Sequence, residues 1–568
     1  MKILDLTFKG NFDSNFSEEL NIIANDNIEK FNSFIGEISK NNINNIDWWS
    51  EGPASRNTYS SPLFFRFISI IFIDKIINES KFHYNTIITD SSEFKNILEL
   101  HLLNKGVSIK VININKHFTK NLKKITKYIY LYFYFIIRMI YIKTIHLKSN
   151  IDLNKIIIID TFILPNYVKK KNRWYGDFIN QANTKFQNIY LIPTIVNASI
   201  FECFSTVKFL KNKDLNKYIF KDLFVTFKDL NWIFLSFLRK RRIKLTKYNL
   251  FNIDLSKLVF EEYNNNSDLF TVFESLVTYK FFENFSKKNI KITHAIDWFE
   301  GQSIDKIWTY SIRKYFSNCN IIGYRGGGDF NLHLSNYPTN FEKNANILPD
   351  IFLINGKSQQ INLNKYCIIK NFVIIPAFRT EYLWNNISTN KYNNFNILIT
   401  FPISLNISKE ILNNIIKANE SISKNNLNFK FILKLHPAFK KNREFSNLLN
   451  FLPNNFVISS NNFIEDLKTT SLLITEASGT CLESMAFGVP VLVVKNTKGL
   501  FYDPIPNGIS EFLYKYVTNS IDIEKYIMIY YNYFLSNSFD FTNIASVIKN
   551  EYFEPNNKSL NFNNIFLN

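Results

Sequence analysis

The stretch "SLLITEASGTCLESMAFGVPVLVV", Ser471 to Val494, reads as strand, tight polar turn, short helix and strand. Its two apolar runs are short and bounded by turn residues, as strands buried on both faces are. Thr480 and Glu483 have the spacing of a capping box, Gly488 suits the position just past a helix end, and Pro490 prevents continuation. Helix capping thus accounts for four residues and leaves Ser478 and Gly479 over. They are small, polar and at the carboxyl end of a strand, where a helix start offers free amides to an anion.

The same alternation extends outward. "NFNILITFP" (Asn394–Pro402) and "FKFILKLHP" (Phe429–Pro437) read as strands, with "SKEILNNIIKANESI" an amphipathic helix between them. "NFVISS" and "VPVLVV" add further strands. Strands alternating with helices at this spacing predict a parallel, doubly wound sheet, whose ligands lie beyond the carboxyl ends of the strands. His436-Pro437 and Ser478-Gly479-Thr480 both fall at such ends. An imidazole there can donate to a phosphate oxygen, and Pro437 sets the exit of the chain from its strand.

The earlier part of the chain is α/β as well. "NKIIIIDTFI" is a strand carrying Asp160, and "KFHYNTIITDSSEFKNILELHLLNKGVSIKVINI" reads strand, helix, strand. "IKITHAIDWFEGQSIDKIWTYSIRKYF" reads strand, acidic loop, helix, and between about Lys208 and Lys287 lies a helical, aromatic stretch. The 568 residues are too many for one core. The expected division is 1–376 and 377–568, with a hinge near Pro376.

The net charge of +19 is uneven. Lys105 to Arg173 holds fifteen Lys and Arg against Asp152 and Asp160, and "RKRRIK" follows at Arg239–Lys244. Such patches suit an anionic partner: lipid headgroups, nucleic acid or a phosphorylated substrate. Within the first patch, "YIYLYFYFIIRMIYI" (Tyr128–Ile142) is short and Tyr-rich for a spanning helix; it reads either as an interfacial helix or as a buried one. Four well-separated cysteines without a CxxC pair exclude a disulfide scaffold and fit a reducing cytoplasm. The start, "MKILDLTFKGNF", is not that of a signal peptide.

"KLHP" followed by "ITEASGTCLESMAFGVPVLVV" resembles the donor-binding domain of GT-B glycosyltransferases. The nearest group carries a His-Pro and a Ser/Thr motif: bacterial sialyltransferases, Kdo transferases and polyglycerol-phosphate transferases. "WWSEGPASRNTYSSPLFF", "DWFEGQSIDKIW", "NIIGYRGGG" and "LPDIFLINGKSQ" are similar, more loosely, to proteins of O-antigen, capsule and lipopolysaccharide biosynthesis. The resemblance implies two Rossmann-like domains facing a cleft, with the helical aromatic stretch as an insertion in the N-terminal half. It implies a sugar moved from a nucleotide donor, CMP-sugar favoured, to a glycan or lipid-linked glycan by direct displacement, with no cofactor and no metal. His436, Pro437, Ser478, Gly479 and Thr480 take the donor phosphate on this reading, and Glu483 the donor ribose. The two glutamates Glu476 and Glu483 are one residue closer than the UDP-sugar pattern requires. That group carries its general base in a two-acid-glycine motif, which is Phe299-Glu300-Gly301 here, so Glu300 is the candidate base and Asp297 the substitute.

Three further residues are acceptor or anion contacts on their types alone: Arg325 beside the triple glycine "YRGGGDFNLH", and Arg173 and Trp174 in "RWYGDF". The enzyme is expected in the cytoplasm, peripheral on the inner membrane face if the basic aromatic segment meets lipid. Two other classes compete. One is a basic protein that binds nucleic acid or an anionic membrane without catalysis, although no RRM, KH, helix-turn-helix or zinc pattern is present. The other is an enzyme like the UDP-sugar 2-epimerases.

Overall fold

The computed structural model describes residues 2–566 apart from 115–116, 146–154, 166–167, 169–171, 187, 215–216, 266–267, 386–393, 437–442, 537–540 and 557–561. Short apolar runs separated by amphipathic helices produce parallel strands in the three larger sheets, because each crossover helix covers a sheet face. β1 (Ile3–Asp5), β2 (Thr86–Thr89) and β3 (Lys110–Asn113) make a small parallel sheet in that order. β4 (Lys155–Ile163) and β5 (Ile189–Ile195) follow, then a hairpin of β6 (Asn249–Leu250) and β7 (Ile253–Asp254). β8 (Lys291–Trp298), β9 (Asn320–Arg325), β10 (Ile351–Ile354) and β11 (Phe372–Ile374) complete a six-stranded parallel sheet ordered β11-β10-β9-β8-β4-β5.

The chain leaves this sheet at Ile374 and builds a second. β12 (Asn396–Thr400), β13 (Lys430–Lys434), β14 (Phe456–Ile458), β15 (Leu472–Thr475), β16 (Val491–Val494) and β17 (Tyr514–Val517) are all parallel, ordered β14-β13-β12-β15-β16-β17. Counted in chain order this is 3-2-1-4-5-6, the Rossmann arrangement. The fold is therefore α/β with two Rossmann-like sheets, and their carboxyl edges face one another. Tyr502 Oη donates to Thr58 O at 2.8 Å, Phe501 N donates to Asn21 Oδ1 at 2.7 Å, and Asn331 and Asp503 exchange two bonds across the junction. The end of the chain returns to the first half. Glu554 N donates to Asn355 O, Ala377 N donates to Glu554 O, and Phe562, Ile565 and Phe566 join the core beneath β4 and β8. The tail of the expected unit 377–568 thus packs against the first half.

The expected aromatic insertion is present as helices, among them Ile200–Asp214, Phe227–Phe234 and Leu269–Phe285. They pack against one long helix, His117–Ile145, that contains the Tyr-rich segment. Arg138 in that segment is buried: Nε donates to Asp222 and Nη1 to Glu274, both at 2.8 Å. The two carboxylates keep the guanidinium charged inside the domain, and Lys221 adds a second cation to Glu274.

Candidate active site

Each six-stranded sheet reverses its winding direction once, and a cavity lies at each reversal. In the first sheet the reversal falls between β4 and β8. Beyond those strand ends lies a cavity of about 410 Å³, walled by Phe162, Trp174, Phe270 and Trp298, with Glu262, Glu274, Glu300 and several hydroxyls and amides on its surface. In the second sheet the reversal falls between β12 and β15, whose ends are tied by Thr400 Oγ1 donating to Thr475 Oγ1 at 2.7 Å. A cavity of about 470 Å³ opens there between Ser404, Glu410, Glu476 and Asn496 on one side and Lys9 and Tyr59 on the other. Reversal points in open α/β sheets are where crevices form, because neighbouring crossovers depart to opposite faces.

Glu300 belongs to the first cavity. Trp298 Nε1 donates to its Oε1 at 2.8 Å, and its backbone N–H donates to Asp305 Oδ2 at 2.9 Å. Gly301 is required by conformation as well as space: its φ is +66°, and a Cβ there would lie 2.0 Å from Ser335 O. The carboxylate of Glu300 thus stands on a fixed turn, against an aromatic wall, with Trp174 and Trp298 ring centroids 5.2 Å apart. Such walls suit the apolar faces of a sugar ring. Glu262 lies in the same cavity, and burial pushes its carboxyl up to about 7.

Asp297 is not on this surface. It is 1% exposed, and neither of its oxygens has a hydrogen-bond partner among the described residues. Burial, then the adjacent Asp305 and Asp160, hold it protonated well above the carboxylate range. Strand alternation sends Asp297 to the opposite face of β8 from Trp298, and the substitute base expected from sequence is not among the residues lining this cavity.

Arg325 also departs from expectation. It is buried, ion-paired with Asp329, and donates to Phe299 O at 3.0 Å and Asn336 Oδ1 at 3.3 Å. Its Nη atoms are committed to these partners and its side chain is closed off from solvent, so it does not stand on the cleft surface where an acceptor anion would lie. That loop passes between the two halves. A Cβ on Gly326 would collide with Trp298 at 2.4 Å, one on Gly327 would lie 3.6 Å from Glu300 Oε1, and one on Gly328 would lie 3.7 Å from Gly479 Cα. The triple glycine is therefore a thin partition between Glu300 and the turn at Ser478-Gly479-Thr480.

The turn itself differs from the capping-box expectation. The helix runs Thr480–Ala486 with Gly479 as its N-cap, and no side chain caps it from that position. Thr480 N and Thr480 Oγ1 both donate to Ser478 Oγ, at 3.3 and 2.9 Å. Glu483 is thereby released from capping and instead accepts a hydrogen bond from Tyr382 Oη. Burial raises its carboxyl, while Arg379 and then Arg173 act to lower it. Arg173 also bears on His436, whose imidazole is lowered chiefly by burial and then by that guanidinium. Arg173 and Trp174 come from the first half, yet Arg173 reaches the electrostatic surroundings of two second-half residues. His436, Ser478, Gly479, Thr480 and Glu483 thus share the inter-sheet region with Arg173 and Arg379; Pro437 lies outside the described residues.

Arg379 and Tyr382 carried no signal in the sequence beyond standing in the linker after Pro376. Arg379 makes no ion pair among the described residues, and its guanidinium lies 5.9 Å from the ring of Trp298. It therefore touches the wall of the first cavity while acting on Glu483. The space between the glycine loop and Gly479, Glu483 and Arg379 is only about 80 Å³. Among the described residues, no three His, Cys, Asp or Glu side chains are grouped to hold a metal ion.

The class so defined is a protein of two facing Rossmann-like sheets with a cationic, Gly-lined cleft. No protein-family model matches the sequence, and no curated protein matches it either. Among solved structures, the chain is similar to a putative UDP-N-acetylglucosamine 2-epimerase from Listeria monocytogenes at 13% identity and TM-score 0.41, covering 70% of this chain and 92% of that one. It is similar to UDP-GlcNAc 2-epimerase from Neisseria meningitidis, bound to UDP-GlcNAc, at 14% identity and TM-score 0.38, covering 69% and 98%. It is also similar to the lipopolysaccharide outer core galactosyltransferase WaaB at 12% identity and TM-score 0.36, covering 72% and 98%.

Proposed function

We propose that this protein is a glycosyltransferase that moves a sugar from a nucleotide-activated donor, CMP-sugar favoured, to a surface glycan acceptor. The observation that carries the reading is the placement of a buried-wall carboxylate, Glu300, on one side of the glycine loop and of the Ser478–Thr480 turn with Arg173, Arg379 and His436 on the other. Direct displacement needs both poles. Glu300 accepts the proton of the attacking hydroxyl, and the cations and hydroxyls stabilise charge gathering on the leaving phosphate. The sugar's anomeric carbon lies between them, the bond from the acceptor oxygen forming as the bond to the phosphate oxygen breaks. Glu483 and Tyr382 suit a ribose diol. Ligand cavities for molecules of this size run to roughly 300–1,000 Å³, so the space of about 80 Å³ at Glu483 must widen when the donor enters.

The test is a thermal-shift series with CMP, CDP, UDP and GDP, followed by hydrolysis assays with the responding nucleotide's sugars. His436→Ala should abolish donor hydrolysis with the thermal transition nearly unchanged. Full activity in that variant overturns the phosphate role, and silence from all four nucleotides overturns the donor site.

One observation favours a second reading. Glu262 and Glu300 line a single cavity, and a pair of carboxylates there suits removal and return of a proton at carbon, as a 2-epimerase requires. Deuterium incorporation from solvent into a UDP-sugar, without acceptor, would establish it over transfer.

A further inference from the structure

The helix His117–Ile145 is apolar on two opposite faces, and only one of them is covered. Tyr128, Leu131, Tyr134, Phe135, Met139 and Ile142 are buried in the domain. On the other side Leu122, Ile125, Ile129, Phe133, Ile137 and Ile140 form a stripe, each between 43% and 57% exposed. At 1.5 Å per residue the stripe is about 27 Å long. Exposed apolar surface on this scale marks an interaction site.

Charge indicates what covers it. The helix contains no Asp or Glu, and Lys123 and Lys127 are exposed at the amino-terminal end of the stripe. Lys124, in the same turn, is close enough to Lys240 for the two to repel, so the run Arg239–Lys244 lies at that end too. There Arg241, Arg242 and Lys244 are exposed, beside the exposed Phe237 and Leu238. Phe237 in turn meets Tyr128 with ring centroids 5.9 Å apart. Asp229, the single acid on the adjoining helix, is turned inward and accepts from Thr226 and Asn284. Apolar side chains rimmed by exposed cations, with the acids at that end, Asp47 and Glu51, buried in ion pairs with Arg239 and Lys240, complement a bilayer bearing anionic headgroups.

We infer that this face lies on an anionic lipid surface, with the stripe sunk to the level of the upper acyl chains. The helix is long and apolar enough to cross a membrane, but its inner face is committed to the domain by Arg138 and its partners Asp222 and Glu274, so it lies on the bilayer and does not span it. This inference is independent of what the cleft binds.

The test uses the full chain with vesicles of phosphatidylglycerol and phosphatidylcholine, against phosphatidylcholine alone, in sedimentation assays. Binding should occur to the anionic vesicles and weaken with salt. The triple variant Ile129→Gln, Phe133→Gln, Ile137→Gln should lose it while keeping its melting temperature, since all three side chains face solvent. Replacing Arg241 or Arg242 by Ala should weaken binding about fivefold each. Equal binding by the triple variant overturns the inference. So does a wild-type dimer in solution that the triple variant dissolves, accompanied by no vesicle binding, because the stripe is then covered by a second copy.

Discussion

The two sheets reverse their winding in the same way but furnish the reversal differently. At the second sheet one turn after β15 supplies Ser478, Gly479, Thr480 and Glu483, joined by His436 after β13 and by Arg379 before β12. At the first sheet they are assembled from afar. Glu300 follows β8, Trp174 follows β4, and Glu262 and Glu274 come from the helical insertion. A phosphate can be held by one turn and a few cations, because it presents a compact charge. A sugar acceptor needs a wall, and a wall requires several elements. Buried ionisable groups are also more numerous in the first half, among them Asp160, Asp297, Asp305, Glu274 and Arg138, against Asp466 and Glu476 beside the second sheet.

That comparison can be broken from either side. The largest effect should come from Arg138→Ala, which leaves Asp222 and Glu274 without their shared cation. Loss of one partner of a buried ion pair costs about 3–5 kcal/mol, read as a fall in the urea midpoint. A loss below 1 kcal/mol would mean that the insertion does not depend on its buried charges. Glu300→Gln should lower transfer by about 10²- to 10⁴-fold, with nucleotide-induced thermal shifts retained. If the shift disappears with the activity, Glu300 serves donor binding and the division of labour between the sheets is wrong. Arg379→Ala should weaken nucleotide binding about tenfold or more, the range of a charge-assisted hydrogen bond, measured by calorimetry.

A smaller effect is expected from pH. Burial pushes Glu476 up to about 7 in the folded protein. A raised carboxyl binds its proton more tightly when folded, so its contribution is fully present below about pH 4 and is lost as pH rises toward 7. Glu476→Gln should therefore melt higher than the parent above pH 7, with the gap closing as pH falls. Smallest is Thr480→Ala. A true capping residue costs about 1 kcal/mol, but Gly479 holds the cap position, and the variant should lose no more than about half of that by thermal denaturation.

Much of the fold was readable because period and length are local properties. Apolar runs of strand length, alternating with amphipathic helices, gave the second sheet nearly element by element, and the strand–helix–strand unit ending at β3 was equally plain. The site was readable only where its residues share a turn. His436 and Ser478 stood at strand ends that any parallel ordering brings to one edge. Arg379 had no periodic or motif context, and its importance arises from the return of the chain across the cleft. Asp297 and Arg325 are buried where a place on the cleft surface was expected, for a single reason: residue type indicates what chemistry a side chain can do, but not whether water or ligand can reach it.

The sequence by itself determined the α/β class, the two carboxyl-edge motifs at His436 and Ser478–Thr480, and the concentration of cations around Tyr128–Ile142, because these follow from adjacency along the chain. Only the tertiary structure decided the rest. It buried Asp297 and Arg325, drew Arg173 and Arg379 to Glu483, and covered one apolar face of the long helix while leaving the other open. Burial and charge proximity are sums over residues distant in sequence, and only the folded chain performs that sum.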